Sequence, residues 1–275
     1  MRARLLLALL LTALPIARAD AAEPNKYWRS VACAEFIVEG TLDAPSALHG
    51  NIDVGVSVEH ILLGTVDSHI TVRVYDPDKR FTMHSGDHVL LFVVMSNDGY
   101  GTQRYYLASP AANPLVPADA QSVAAVRQEL ARQRDVLAAW KPQPPGPDAA
   151  DLKVLLDRTV TRSSQADALT ELHRRATGHA AELIDLMDDR REMPEHRMEV
   201  YNTEGRGWEG VLHYGPVELI DALDAILLQI TGESFGFIGN GGSEAQRAHA
   251  LAGWRIYQDL LLHHPVALKI ADAPR

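Results

Sequence analysis

The chain carries a single cysteine, Cys33, among 275 residues, so no internal disulfide can hold it together. Small domains stapled by cross-links are excluded, and stability has to come from packed cores. Cys33 lies between Ala32 and Ala34 at the start of an apolar stretch, which predicts a buried, unreactive thiol. Beyond residue 19 no apolar run approaches the roughly 20 residues that a membrane-crossing helix needs. Chemistry-bearing motifs are scarce too. There is no His-Glu-x-x-His, and the glycine-rich stretch 236–243 lacks the Lys-Ser/Thr of a P-loop, so it reads as a turn between helices. His84 and His88 flank Ser85-Gly86-Asp87, a turn entering a strand, so they cannot share a helix face as zinc-binding pairs do. These patterns assign no catalytic residue, no cofactor site and no metal ligand set.

The start of the chain is where a signal does stand out. Arg2 and Arg4 precede an apolar run over residues 5–16, broken only by Thr12 and Pro15, and Ala17-Arg18-Ala19 follows. A basic start, a short apolar run and small residues at the two positions a signal peptidase reads predict a cleaved secretory signal over residues 1–19. The protein is therefore expected to be soluble and periplasmic or secreted, with no transmembrane segment in its mature chain. Removing the leader takes away Arg2, Arg4 and Arg18 and no acid, which turns the formal net charge of −10 into −13. Such an excess repels phosphate backbones, so nucleic acid is not expected as a partner, and anionic membrane surfaces are disfavoured likewise.

Strand signals fill residues 35–109, with strands expected at 35–40, 52–59, 70–75, 88–95 and 104–107. The stretch 88–95 is apolar on both faces, which predicts a strand covered on both sides. Five short strands joined by tight turns suggest a small barrel, because closure removes exposed edges. Val123, Val126, Leu130, Leu137 and Trp140 recur at helical spacing behind Asp119, a candidate N-cap. Residues 141–148 then hold four prolines and a glycine, the composition of a semi-rigid spacer. Further helices are expected near 149–160, 165–176, 179–188, 217–231 and 244–262. Pro216 suits a first turn, Gly232 a helix stop, and Ser243 with Gln246 a capping box. The expected fold class is α+β in two domains. A small antiparallel OB-like β-barrel with a C-terminal helix spans 33–140, and an all-α domain, HEAT-like or a compact bundle, spans 149–275.

Phe36-Ile37-Val38-Glu39-Gly40-Thr41, then Val58-Glu59-His60-Ile61-Leu62-Leu63-Gly64, then Gly86-Asp87-His88-Val89-Leu90-Leu91-Phe92 follow a recognisable order. It resembles bacterial OB-type barrels related to the netrin/TIMP-like fold, with Leu63 in place of a lysine in that pattern. The resemblance covers residues 33–109 and implies the barrel. In animal inhibitors of this fold a mature N-terminal cysteine chelates a protease's zinc; Cys33 lies inside the chain and lacks a disulfide partner, so that chemistry does not carry over. The run 230–237 and Gly253-Trp254-Arg255-Ile256-Tyr257 resemble the ends of bacterial exported proteins with HEAT-like helices, which implies a fold and no mechanism.

Acids such as Asp185, Asp188, Asp189, Asp221 and Asp224 recur at helical spacing and read as a solvated face. Residues 190–215 run without clear periodicity and mix arginines with Tyr201, Trp208, His213 and Tyr214. Long loops rich in aromatic and arginine side chains are where binding hot spots concentrate. With Phe235 and Phe237, these four residues form the candidate partner-binding set. The expected function is a non-catalytic binding or scaffold protein of the bacterial envelope, its partner another envelope protein. Two alternatives are a metal-dependent hydrolase with its site at the domain interface and a protease inhibitor by barrel analogy.

Overall fold

Tyr27 and Trp28 open a six-residue helix, α1 (Trp28–Cys33), whose apolar side is buried. The computed structural model describes residues 22–48, 51–75, 82, 84–97, 103–108, 114–144, 146, 148–201 and 211–271. Seven strands follow α1. They are β1 (Phe36–Leu42), β2 (Ser46–Leu48), β3 (Asn51–Leu63), β4 (His69–Tyr75), β5 (His88–Asn97), β6 (Gln103–Leu107) and β7 (Leu115–Pro117).

Five of them close into a barrel. β1 pairs with β3, β3 with β4, β4 with β6, β6 with β5, and β5 returns to β1. Short β2 hangs on β3 and β7 on β5. The expected all-antiparallel barrel needs one correction, since β4 and β6 run parallel at Val72↔Tyr105 and Arg73↔Tyr106. A parallel closure needs a crossover, and β5, placed between β4 and β6 in sequence, provides it. Alternation divides β5 between two cores. Val89, Leu91 and Val93 fill the barrel with Val38, Val54, Val56 and Val72, while Leu90 and Phe92 point outward onto Tyr27 and the helices.

Helix α2 (Ala120–Ala139) is capped as expected, with the Ser122 amide donating to Asp119 Oδ1 at 2.7 Å. Its fully buried stripe is not the predicted apolar row, however. Val126 and Val136 are buried together with Glu129, Arg132 and Gln133, while Val123, Leu130 and Leu137 are only half-buried. The charges are tolerable because each is paired. Arg132 meets Glu129 at 2.8 Å and Asp259 at 3.2 Å, and Gln133 Nε2 donates to Glu129 Oε1 and to the Trp28 carbonyl.

Helices α3 (Ala149–Thr159), α4 (Gln165–Ala176) and α5 (Ala180–Asp185) come next, followed by a hairpin of β8 (Met198–Tyr201) and β9 (Val211–Tyr214). The second half is therefore not all-helical, and part of the aperiodic 190–215 stretch is sheet. Helices α6 (Leu219–Thr231), α7 (Glu244–His263) and α8 (Pro265–Ala271) end the fold. Pro216 sits before α6 rather than in its first turn, because Asp221 reaches back to the amides of Val217 and Glu218 and fixes the start there. Gly232 stops α6 at φ 71°, and Ser243 and Gln246 cap α7 reciprocally, both as the sequence predicts. One buried cluster runs from the outer barrel face through α1 and α2 into α4, α6 and α7. Residues at the start of the proline-rich segment are tied to it. Trp140 Nε1 donates to Gln258 at 2.7 Å, and the Gln143 amide donates to Asp185 at 3.0 Å.

Candidate functional site

The six residues picked from sequence do not form one surface. Phe235 is fully buried, edge-on to Trp254 with ring centroids 5.0 Å apart. Tyr214 is almost as buried, and its hydroxyl accepts from Gln229 at 2.8 Å. His213 is exposed beside Glu199, 3.6 Å away. Phe237 is 52% exposed and lies 6.0 Å from the Tyr214 ring. Tyr201 ends β8 opposite Val211, and Trp208 lies outside the described residues. Of the members whose side chains are described, His213 and Phe237 are the ones on the surface.

Two of the acids read as solvated are in fact buried. Asp221 is bonded through both oxygens to Arg247, and Asp224 accepts from Trp254 Nε1 at 2.8 Å and from the Ile238 amide at 3.2 Å. Burial pushes the Asp224 carboxyl up to about 7, against the pull of the Trp254 and Ile238 donors. A group so perturbed is a functional-site candidate in principle. Enclosed by α6 and α7 with both oxygens engaged, Asp224 is instead a pin between helices. Its consequence is for stability. A carboxyl whose folded pKa exceeds its unfolded one contributes fully below about pH 4, and that contribution is lost as pH rises through about 7. Asp224→Asn removes the titration, at the cost of one acceptor. Its melting temperature relative to wild type should rise between about pH 4 and about pH 7 and level off above, by circular dichroism; a constant offset would contradict the assignment.

Titratable groups that do meet in an open cleft were not picked from sequence. Glu35 precedes β1, and His249 sits on α7, across the seam between barrel and helices. Together they line a cavity of about 680 Å³ with Phe36, Ser96, Gln103 and Gln246. His249 Nε2 lies 3.3 Å from the Cys33 carbonyl. A carbonyl only accepts, so Nε2 carries the proton and Nδ1 is the basic nitrogen of the neutral ring. Burial lowers the His249 pKa below the usual imidazole value, while Glu35 and the Cys33 carbonyl pull it back up. Glu35 is fixed by the Met95 amide, which donates to its Oε2 at 3.0 Å. Gly236, at φ 101°, leaves room for the ring: a Cβ there would sit 3.1 Å from His249 Cδ2. Nothing in the spacing of 35 and 249 could reveal the pair, because only barrel closure and the α6–α7 turn bring them together.

Cys33 is buried as expected. Its Sγ lies 3.2 Å from the Ser234 carbonyl, and burial, with Glu233 adding to it and Arg29 opposing, pushes the thiol up to about 12. A neutral, enclosed thiol cannot chelate a protease's zinc. The neighbouring run Gly232-Glu233-Ser234-Phe235-Gly236 spells Gly-x-Ser-x-Gly. It joins α6 to the turn before α7, whereas a nucleophile elbow joins a strand to a helix. Among the described residues no group of three or more His, Cys, Asp or Glu side chains is placed to hold a metal ion, and no helix is long and apolar enough to cross a membrane. A second cavity, about 470 Å³, lies between α2 and α7 and is lined by Val136, Ala139, Trp140 and Leu262 above Arg132 and Asp259. No protein-family model matches the chain, and no curated protein matches it significantly.

Proposed function

We propose that the protein is an exported, non-catalytic binding protein of the bacterial envelope that takes its ligand in the seam cleft. The observation that carries this reading is the convergence of Glu35 and His249, each held in place by backbone, on a concave site of about 680 Å³. That volume lies in the range of roughly 300–1,000 Å³ usual for small-molecule sites. The barrel is read as OB type, supported by the closure order β1-β3-β4-β6-β5 with its parallel β4–β6 pair and by the Gly86-Asp87-His88 entry to β5. Export rests on the leader at residues 1–19. Ala245 is exposed on the first turn of α7 and lines the cleft, so Ala245→Trp would fill it without touching the core. In a thermal-shift screen of envelope metabolites, compounds that raise the wild-type melting temperature should lose that effect in Ala245→Trp. Equal shifts in both proteins, or no shift from any compound, would refute the site.

Contact with a second envelope protein is proposed at the exposed side chains of Phe237 and His213. Phe237→Ala should reduce recovery of a partner from envelope extract several-fold, as should Trp208→Ala; unchanged recovery in both removes this surface.

Hydrolysis at the same cleft is a second reading, favoured by the basic Nδ1 of His249 beside Glu35. It requires that a bound compound be recovered cleaved, and that cleavage disappear in His249→Gln. A bound compound recovered intact dismisses it.

A further inference from the structure

The chemistry of the seam cleft narrows what it can take. Among the described residues no lysine or arginine lines it, so a phosphate, sulfate or carboxylate would find no cationic partner there and would face Glu35. Among the described lining residues a cationic ligand would find a single carboxylate, Glu35, and one oxygen of that group already accepts from the Met95 amide. An added peptide strand is disfavoured for the same reason. The Met95 amide, which a new strand would need, is taken by Glu35, and β1 is paired on both sides.

The remaining groups are a mixture of neutral donors and acceptors around an apolar wall. Gln103 offers a carboxamide and Ser96 a hydroxyl, each able to donate and accept. Gln246 spends its Oε1 on the Ser243 amide at 2.9 Å, which leaves its NH₂ as a donor. Glu35 Oε1 is an acceptor. The wall is Phe36, held edge-on to Tyr105 at 87° with centroids 5.6 Å apart, and backed by Gly64, where a Cβ would sit 2.5 Å from Phe36 Cδ1. A ring so locked loses little entropy on binding, and its electron-rich face attracts polarised C–H groups.

We infer that the cleft of Glu35, Phe36, Ser96, Gln103, Gln246 and His249 binds a neutral saccharide of one or two rings, its hydroxyls on the carboxamides, hydroxyl and carboxylate and its C–H face on Phe36. A sugar ring has this pattern: hydroxyls that both donate and accept around its edge, and an apolar face. The inference rests on the proposal that the seam cleft is a ligand site, and it adds the ligand's class.

Calorimetric titration of the full mature chain tests it, with cellobiose, maltose and N,N′-diacetylchitobiose as neutral probes. Deacetylated chitobiose and digalacturonate serve as the cationic and anionic controls. At least one neutral disaccharide should bind saturably and at least about tenfold more tightly than either charged control. Gln103→Ala, at an exposed strand end, should weaken it about tenfold, and Ala245→Trp should abolish it. Absence of saturable binding by all three neutral probes overturns the saccharide assignment, as does equal or tighter binding of a charged control. If the metabolite screen still yields a compound sensitive to Ala245→Trp, the cleft remains a ligand site and only the saccharide falls. If Ala245→Trp changes nothing in either experiment, both fall together.

Discussion

Asp221→Ala should cost about 3–5 kcal/mol of folding stability, the range for leaving one partner of a buried ion pair alone. Arg247 meets Asp221 through Nε and Nη2, both at 2.8 Å, in a fork-to-fork pair with Asp221 fully enclosed. Removing the carboxylate strands the guanidinium of Arg247, a residue only 6% exposed. Glu218, 2.8 Å from Nη1, compensates only in part, because it also accepts from Arg190 at 2.6 Å. The same substitution frees the Val217 and Glu218 amides, which Asp221 accepts at 3.0 and 2.9 Å, and so uncaps α6. In urea unfolding the midpoint should drop sharply. Asp221→Ala combined with Arg247→Met, which removes the stranded charge, should recover more than half of the loss. A single-variant loss below about 1 kcal/mol, or no recovery in the pair, would show that the fork is not what joins α6 to α7.

This network also shows where sequence reading runs out. Period and composition identify β1, β3, β4 and β5, the Asp119 cap, the Gly232 stop and the Ser243 box, because those depend on residues a few positions apart. They misplace Asp221 and Asp224, and they give no sign that Glu129 and Arg132 are buried. A hydrophobic pattern assigns every charge to water, and only the partner's position, 26 residues away for Asp221 and Arg247, reveals that the charge can be buried. The β8–β9 hairpin escapes for another reason: each strand has four residues, too few for a period-2 signal to rise above the loop around it.

The residues of the candidate cleft were not legible in the sequence. A site at the junction of barrel and helices was among the sequence-based alternatives, yet neither Glu35 nor His249 was singled out. Glu35 reads as the first residue of an ordinary strand, and His249 as one histidine of twelve, in a helix. Aromatic residues misled in the opposite direction. Phe235 and Tyr214 look like hot-spot residues in a chain with only 6% aromatics, and that same scarcity is why the fold commits them to the core. Phe237, two positions on, shows that alternation along an irregular turn decides which ring reaches solvent.

Gly253→Ala tests the link between that core and the cleft, with an effect opposite in sign to helix propensity. Alanine in a helix interior normally stabilises by about 1 kcal/mol relative to glycine. At Gly253 of α7 a Cβ would lie 2.3 Å from Phe235 Cβ and 2.5 Å from its Cγ, contacts that no rotamer of alanine can relieve. Phe235 cannot retreat, since Trp254 and Tyr257 hold it with centroids 5.0 and 6.1 Å away. The expected result is a net destabilisation of roughly 1–3 kcal/mol, as for overpacked cores, read from thermal unfolding. Pairing it with Phe235→Leu should restore part of the loss by moving bulk away from the new methyl. The backbone that yields is the 235–236 turn, and Gly236 abuts His249, so the displacement should reach the seam cleft. Any ligand of that cleft should bind Gly253→Ala more weakly at temperatures where the variant is still folded. A variant as stable as wild type or more so, with undiminished binding, would mean that α7 and the turn can slide apart freely and that His249 is not positioned by them.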